Sequence, residues 1–297
     1  MSDDRAMTTY QRLVANQWLV LRRLMQLTVL LLFLAGPWLG IWIVKGNLNY
    51  SLTLGVMPLT DPFLMVQTLI AGHVPELKAF AGVAIILAGY VVVGGRNFCS
   101  WVCPVNLVTD LAAWLRHKLG IKGGLHVSRT ARYGVLLTAL AVAALTGTVA
   151  WEMVNPVSMF HRGLIFGLGM TWTVVVAVFL FDLFVVRHGW CGHLCPVGAF
   201  YSLIGRLSLL RMRLPRRDAC DDCMDCFEVC PEPQVIRPAL KGIDGAPPII
   251  LDAHCTNCGR CIDVCTKDVF GFGWRFAAEA KRLDPIPSRG THHEQNC

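Results

Sequence analysis

CDDCMDCFEVCP, residues 220–231, and CTNCGRCIDVC, residues 255–265, decide how the C-terminal part of the chain folds. Each run is spaced C-x2-C-x2-C-x3-C. Three thiolates at that spacing wrap three irons of one cubane, and the fourth, on the short helix that follows, ligates the other cluster. This predicts one [4Fe–4S] cluster on Cys220, Cys223, Cys226 and Cys265, and a second on Cys255, Cys258, Cys261 and Cys230. The alternative, a structural zinc ribbon, needs only CxxC pairs and leaves the third cysteine of each run idle. Thr266 stands where the first run has Pro231; a proline there helps to turn the chain but is no ligand. Residues 211–281 therefore read as a small α+β domain with two clusters, linked internally by 238–248. Residues 282–297 read as a disordered tail that carries the lone Cys297.

Upstream the composition changes. The whole chain of 297 residues is 54% hydrophobic and only 16% charged, with a mean hydropathy of +0.50, values foreign to a soluble protein. The nine tryptophans suit a membrane–water interface. Four apolar stretches, 24–44, 77–95, 133–150 and 164–186, approach the length that crosses a ~30 Å hydrocarbon core. The first is longer than a signal h-region and is expected to remain as a helix. Arg5, Arg12, Arg22 and Arg23 precede the first stretch, and Arg96, Arg116, Lys118, Lys122, Arg129 and Arg132 separate the second from the third. Arg187, Arg206, Arg211 and Arg213 follow the fourth, whereas the other two loops hold only Lys45, Lys78 and Arg162. Positive charge marks the cytoplasmic side. The reading is a mainly α protein of the bacterial inner membrane, with four spans in 24–210. The N-terminal tail 1–23, both termini and the ferredoxin-type domain are cytoplasmic. The net charge of +7 follows this topology and forms no single stripe for nucleic acid.

The membrane region repeats. GGRNFCSWVCPVNL, residues 94–107, follows the second span, and RHGWCGHLCPVGAF, residues 187–200, follows the fourth. Each half is a helix pair ending in CxxxCP, so the repeats are parallel and both motifs reach the cytoplasmic face. Asp61-Pro62 and Asn155-Pro156 form a fainter echo outside. A spacing of four sets each thiol pair on one helical face. Cys99, Cys103, Cys191 and Cys195 would supply four soft ligands to a third redox or metal site; packing cysteines or a dithiol are the alternatives. His188 and His193 flank the second motif as ligands or as packing residues. Asp182 is a costly membrane carboxylate that marks a proton path, snorkels to the interface or pairs with Arg187. Outside, 57–73 and 152–162 are amphipathic, and Asp61, His73, Glu152 and His161 offer proton acceptors for quinol oxidation. A short interfacial helix sealing the bundle would give the same pattern. Neither GxxxxGK[ST] nor a Rossmann GxGxxG occurs.

WLVLRRLMQ, MPLTDPF, FCSWVCPVN, ALTGT with WEMVNPVS, HGWCGHLCPVGA, CMDCFEVCPEP and CGRCIDVC followed by DVF together resemble the membrane-bound ferredoxin-type NapH proteins, over nearly the whole chain. The resemblance implies a quinol dehydrogenase component of the periplasmic nitrate reductase system. Its implied partners are a peripheral iron–sulfur subunit of the NapG kind and a tetrahaem cytochrome of the NapC kind. It carries the cluster-ligand role onto the eight ferredoxin cysteines and a redox role onto Cys99, Cys103, Cys191 and Cys195. It names no quinone pocket. Nitrate reduction lies outside and the clusters inside, so electrons must cross the membrane. A polyferredoxin that reduces a metal ion in oxidase maturation, and a non-catalytic anchor docking a partner on Arg206–Arg217, are the competing readings.

Overall fold

The computed structural model describes residues 13–276 except 122, 126 and 168. Cys297, the tail 282–297 and residues 1–12 lie outside them. Helix α1, Gln17–Leu39, is closed by Gly40, which takes a left-handed conformation. The N–H groups of Gly40 and Ile41 return to the Gly36 and Ala35 carbonyls at 2.9 and 3.2 Å, an ending glycine adopts without steric cost. The helix thus starts seven residues before the stretch expected from 24 and stops before 44. Residues beyond it form an antiparallel meander, β1 Val44–Gly46, β2 Tyr50–Thr53 and β3 Met57–Thr60, with Val44 opposite Thr53 and Tyr50 opposite Thr60.

Helix α2, Pro62–Ile70, leads to α3, Leu77–Val93, then to the short α4, Asn97–Trp101, and to α5, Val105–Lys118. The second half has the same order. It comprises α6, Ala131–Thr146; α7, Pro156–Phe166; α8, Thr171–Leu180, continued by a π-turn Phe181–Val185; a second π-turn, Trp190–Leu194; and α9, Pro196–Gly205. The Asp-Pro and Asn-Pro echo is a pair of helix N-caps. Asp61 and Asn155 accept the N–H of Phe63 (3.3 Å) and Val157 (3.1 Å), and proline fills the first helical position. The fourth expected stretch is split: 164–166 finish α7, and Gly167, at φ +86°, turns the chain before α8.

Among the described residues, α1 is the one helix long and apolar enough to cross a membrane by itself, and α3, α6, α9 and the α8 stretch to Val185 are shorter apolar helices. Apolar side chains stay uncovered along them: Leu24, Leu31, Leu137, Leu145 and Phe184 are each more than half exposed.

The C-terminal unit is closed by β4, Leu210–Arg213, paired antiparallel with β5, Gly271–Trp274. Between them lie α10, Asp225–Val229; α11, Ile236–Lys241; and α12, Arg260–Val264. Met212, Leu214, Ile236, Ile250, Val269 and Phe270 form its core. The expected link 238–248 is partly helix, because Pro238 sits in α11 and Ile236, Ala239 and Leu240 bury one face. This unit rests directly on the helices. A Cβ on Gly95 would stand 2.3 Å from the Gly205 nitrogen and the Tyr201 carbonyl, while one on Gly205 would meet the Ala253 carbonyl at 3.0 Å.

Candidate iron–sulfur site

The two cysteine runs share one backbone path. Asp222 and Met224 in the first, and Asn257 and Gly259 in the second, occupy matching positions and all have positive φ, +63°, +67°, +48° and +76°. Left-handed residues curl a loop so that successive N–H groups point inward, a concavity that suits an anion. The thiols of Cys220, Cys223, Cys226 and Cys265 line a common cavity, roofed by Phe227, Leu240 and Phe270. The other group is more deeply buried: Cys261 stands within charge-interaction range of Cys258, Cys255 and Cys230. The fourth cysteine of each run thus stands with the first three of the other. Cys223 is exposed, whereas Cys258 is buried.

The second run is bolted to the helices. Ser100 and Trp101, between Cys99 and Cys103, donate to the Thr256 carbonyl (2.8 Å) and the Asn257 carbonyl (3.0 Å). The Asn257 amide donates to the carbonyls of Val93 and Leu210, both at 3.0 Å. Asp263 accepts the N–H groups of Trp18 (3.2 Å) and Leu19 (2.9 Å), so a carboxylate from the second run caps the start of α1.

Two buried acids complete the joint. Glu232, just after Cys230 and Pro231, is 2% exposed and pairs with Arg96 (2.6 Å), Arg132 (2.7 Å) and Arg129. Arg96 also donates to the carbonyls of His254 (2.9 Å) and Cys191 (3.1 Å), joining both halves to the second run. Burial would raise the Glu232 carboxyl, but Arg96 and Arg132 overcome it and hold it at about 2. Asp110 of α5 binds Arg260 (2.5 Å) and Arg23, with Arg22 at 4.0 Å. Burial again opposes ionisation there, and Arg260 and Arg23 bring the carboxyl to about 2. These residues were not predicted as a set; Glu232 between two prolines was the one local signal.

The structure also brings the CxxxCP thiols together. Cys191 is within charge-interaction range of Cys195, Cys103 and Cys99, and its thiol lies 3.9 Å from the Thr109 hydroxyl. Trp190 stacks on Trp151 with ring centroids 6.3 Å apart. His188 is buried, and burial, reinforced by Arg260, pushes it down to about 4, so the ring is neutral. His193 is buried with Nδ1 unpartnered among the described residues. Asp182 does not pair with Arg187: its carboxylate accepts the Trp190 N–H (2.8 Å), and Arg187 donates to the Glu228 carbonyl. Glu152 is held by Asn49 (2.7 and 2.8 Å), Asn155 (3.2 Å) and Ser158. His73 meets the Gly147 carbonyl at 3.0 Å, and His161 packs on Phe33.

Among the described residues no three His, Cys, Asp or Glu side chains converge tightly enough to hold a single metal ion. In each run the third cysteine stands with the first two, Cys226 with Cys220 and Cys223 and Cys261 with Cys255 and Cys258, whereas a zinc ribbon built on CxxC pairs would leave it idle. Burial pushes Cys255 up to about 11 and Cys226 up to about 12; such thiols release protons on taking up metal.

Fold and site define a ferredoxin-type iron–sulfur electron-transport protein. A family described as a 4Fe-4S binding domain matches residues 77–122 and 168–217, one segment in each half. MauN of Methylorubrum extorquens, a methylamine utilization ferredoxin-type protein, is 54% identical over 86% of this chain and 88% of its own. MauN of Paracoccus denitrificans is 52% identical over 96% and 97%, and the ferredoxin-type protein NapH of Haemophilus influenzae 49% over 88% and 91%. The chain belongs to the NapH and MauN family of ferredoxin-type proteins. No solved structure matches it.

Proposed function

We propose that the chain is a multi-pass carrier of the bacterial inner membrane that takes electrons from quinol and passes them through iron–sulfur groups toward periplasmic nitrate reduction. The observation that carries this reading is the contact between the turn holding Cys99 and Cys103 and the loop holding Cys255 and Cys258. It supports an electron path from the CxxxCP quartet to the group Cys255, Cys258, Cys261 and Cys230 beside it, and from there to the group Cys220, Cys223, Cys226 and Cys265, of which Cys223 is exposed. When bound, a [4Fe–4S] cluster takes up and releases one electron at a time.

The protein prepares the middle station for added negative charge. Arg22 and Arg260 lie within charge-interaction range of Cys258, and Arg96 and Arg211 within range of Cys255. The first group is instead bordered by Asp222 and Asp268 as well as Lys241. An excess electron is therefore favoured on the arginine-lined side.

Membrane placement draws support from the exposed apolar helix faces. It also draws support from the gathering of Arg22, Arg23, Arg96, Arg129 and Arg132 at the end that carries the cysteines, which is the cytoplasmic end by the charge rule. Peripheral iron–sulfur and tetrahaem partners of the NapG and NapC kinds would take the electrons onward. A third cluster on the quartet is supported by the matched family: its segments contain Cys99, Cys103, Cys191 and Cys195 and none of the ferredoxin-run cysteines.

Anaerobic purification with iron and sulfide analysis tests the cluster count. The full chain is expected to carry about twelve irons, four per cubane, and a Cys99→Ala, Cys191→Ala double variant about eight. Equal iron in the two proteins would sink the third site. A second physiological reading rests on the 54% and 52% identity to MauN proteins, in which the same carrier serves methylamine utilization. Deletion separates the two. A growth defect confined to nitrate respiration supports the first, and one confined to methylamine as growth substrate supports the second.

A further inference from the structure

The two halves differ at one chemically important point. Both short helices α2 and α7 are capped by a side-chain oxygen followed by proline, and in the second half a neutral residue, Asn155, suffices. In the first half the cap is Asp61, and its carboxylate does more than cap. Tyr201 of α9, 2% exposed, donates its hydroxyl to Asp61 Oδ1. The ring of Tyr90 packs edge-on to Tyr201 with centroids 5.0 Å apart, Phe98 lies 5.7 Å from Tyr201, and Phe63 lies 5.4 Å from Phe200. Asp61 itself is half-buried rather than sealed. These rings pack together as an apolar, aromatic cluster, with one half-buried acid at its edge.

It also adjoins the thiol quartet. Phe98 precedes Cys99 in the chain, and Cys99, Cys103 and Tyr90 pack against the cluster that holds Phe98 and Tyr201. A helix cap needs no charge, since Asn and Asp cap equally well, and withdrawing a carboxylate even partly from water is costly. The charge at this position therefore calls for a role that Asn155 does not have.

We propose that the Asp61 carboxylate is the proton acceptor of a quinol-oxidation site at the edge of the aromatic cluster of Tyr90, Phe98 and Tyr201, with Tyr201 as the positioning residue that aims it. The inference rests on the quinol reading above and gives it a place. Oxidation of a quinol to a quinone releases two protons and two electrons. One hydroxyl proton passes to the Asp61 carboxylate, the O–H bond breaking as the carboxyl O–H forms. The second follows after Asp61 has discharged the first to water. The two electrons leave singly to oxidised iron–sulfur groups of the chain, so charge and atoms balance. The ligand class is a planar, substituted aromatic diol with an apolar tail, which stacks on the rings and hydrogen-bonds the acid.

The test uses the full chain, loaded with clusters, in detergent, with decylubiquinol and a menaquinol analogue as donors. Asp61→Asn retains the cap and is expected to slow quinol-driven bleaching of the clusters at least about 100-fold, the scale of a lost general base. Its dithionite-reduced EPR spectrum should be unchanged. Asp61→Glu should recover part of the rate. A wild-type protein that neither quinol bleaches overturns the quinol reading itself. A bleached wild type with an equally fast Asp61→Asn variant overturns this site alone. A second readout covers the case in which Asp61→Asn loses its clusters: a photoactivated azidoquinone on wild-type protein, with or without clusters. Label in 61–67 or 197–204, displaced by excess quinone, supports the site; label elsewhere overturns it.

Discussion

Glu232→Gln is expected to be the most damaging single polar substitution in the chain, costing on the order of 3–5 kcal/mol, the range for breaking a buried ion pair from one side. Arg96 and Arg132, 2% and 1% exposed, would lose their only carboxylate among the described residues, and two buried positive charges would face each other. Gln234→Ala, which removes only a 2.7 Å hydrogen bond to the same carboxylate, should cost about 1 kcal/mol. Thermal unfolding in detergent, with limited proteolysis around 206–210, checks both: release of the C-terminal unit should precede loss of the helices in Glu232→Gln alone. The pH dependence has a definite sign. The folded-state carboxyls of Glu232 and Asp110 are depressed to about 2, below unfolded values of about 4.3 and 3.9. Their stabilisation is therefore complete above about pH 5 and is lost as pH falls toward about 2. A docking that weakened between pH 6 and 8 instead would contradict the assignment.

Gly95→Ala should be nearly as severe for a different reason. The added methyl would stand 2.3 Å from the Gly205 nitrogen and the Tyr201 carbonyl and 2.6 Å from the Gly205 Cα. All three are backbone atoms that cannot rotate aside. Overpacking of this kind costs about 3 kcal/mol or more. Gly89→Ala in α3 and Gly134→Ala in α6 are the controls, because a Cβ there meets nothing within 4 Å. Both should be neutral or stabilising by about 0.5–1 kcal/mol, the helix preference for alanine over glycine. Melting temperatures of the three variants in one detergent decide the matter; a benign Gly95→Ala would mean that α9 and the end of α3 are not in backbone contact.

The contrast between these sites shows what could be seen in the sequence. The cysteine runs are legible because a cubane is gripped from a local spacing, and the CxxxCP repeat because it recurs with its flanking Gly, Trp and Pro. Helix α3 starts at 77 as expected, since its boundaries depend on local apolarity. Helix α1 starts early because its cap, Asp263, lies 245 residues from Trp18, beyond the reach of any local signal. The fourth apolar stretch reads as one element by hydropathy, yet a single left-handed glycine, Gly167, divides it. The β-meander is made of strands of three or four residues inside an apolar loop, too short for alternation to show. The arginine knots were hidden because each charge is ordinary in its own neighbourhood: Arg96 looks like topogenic charge and Glu232 like surface, and only their meeting across 136 residues makes them a joint.

The Asp263 cap also bears on biogenesis. Trp18 leaves the ribosome 245 residues ahead of the carboxylate that satisfies its N–H group. The first turn of α1 therefore goes without this cap until the second cysteine run has been made, and closing the start of the helix waits on synthesis of the unit that carries the thiols.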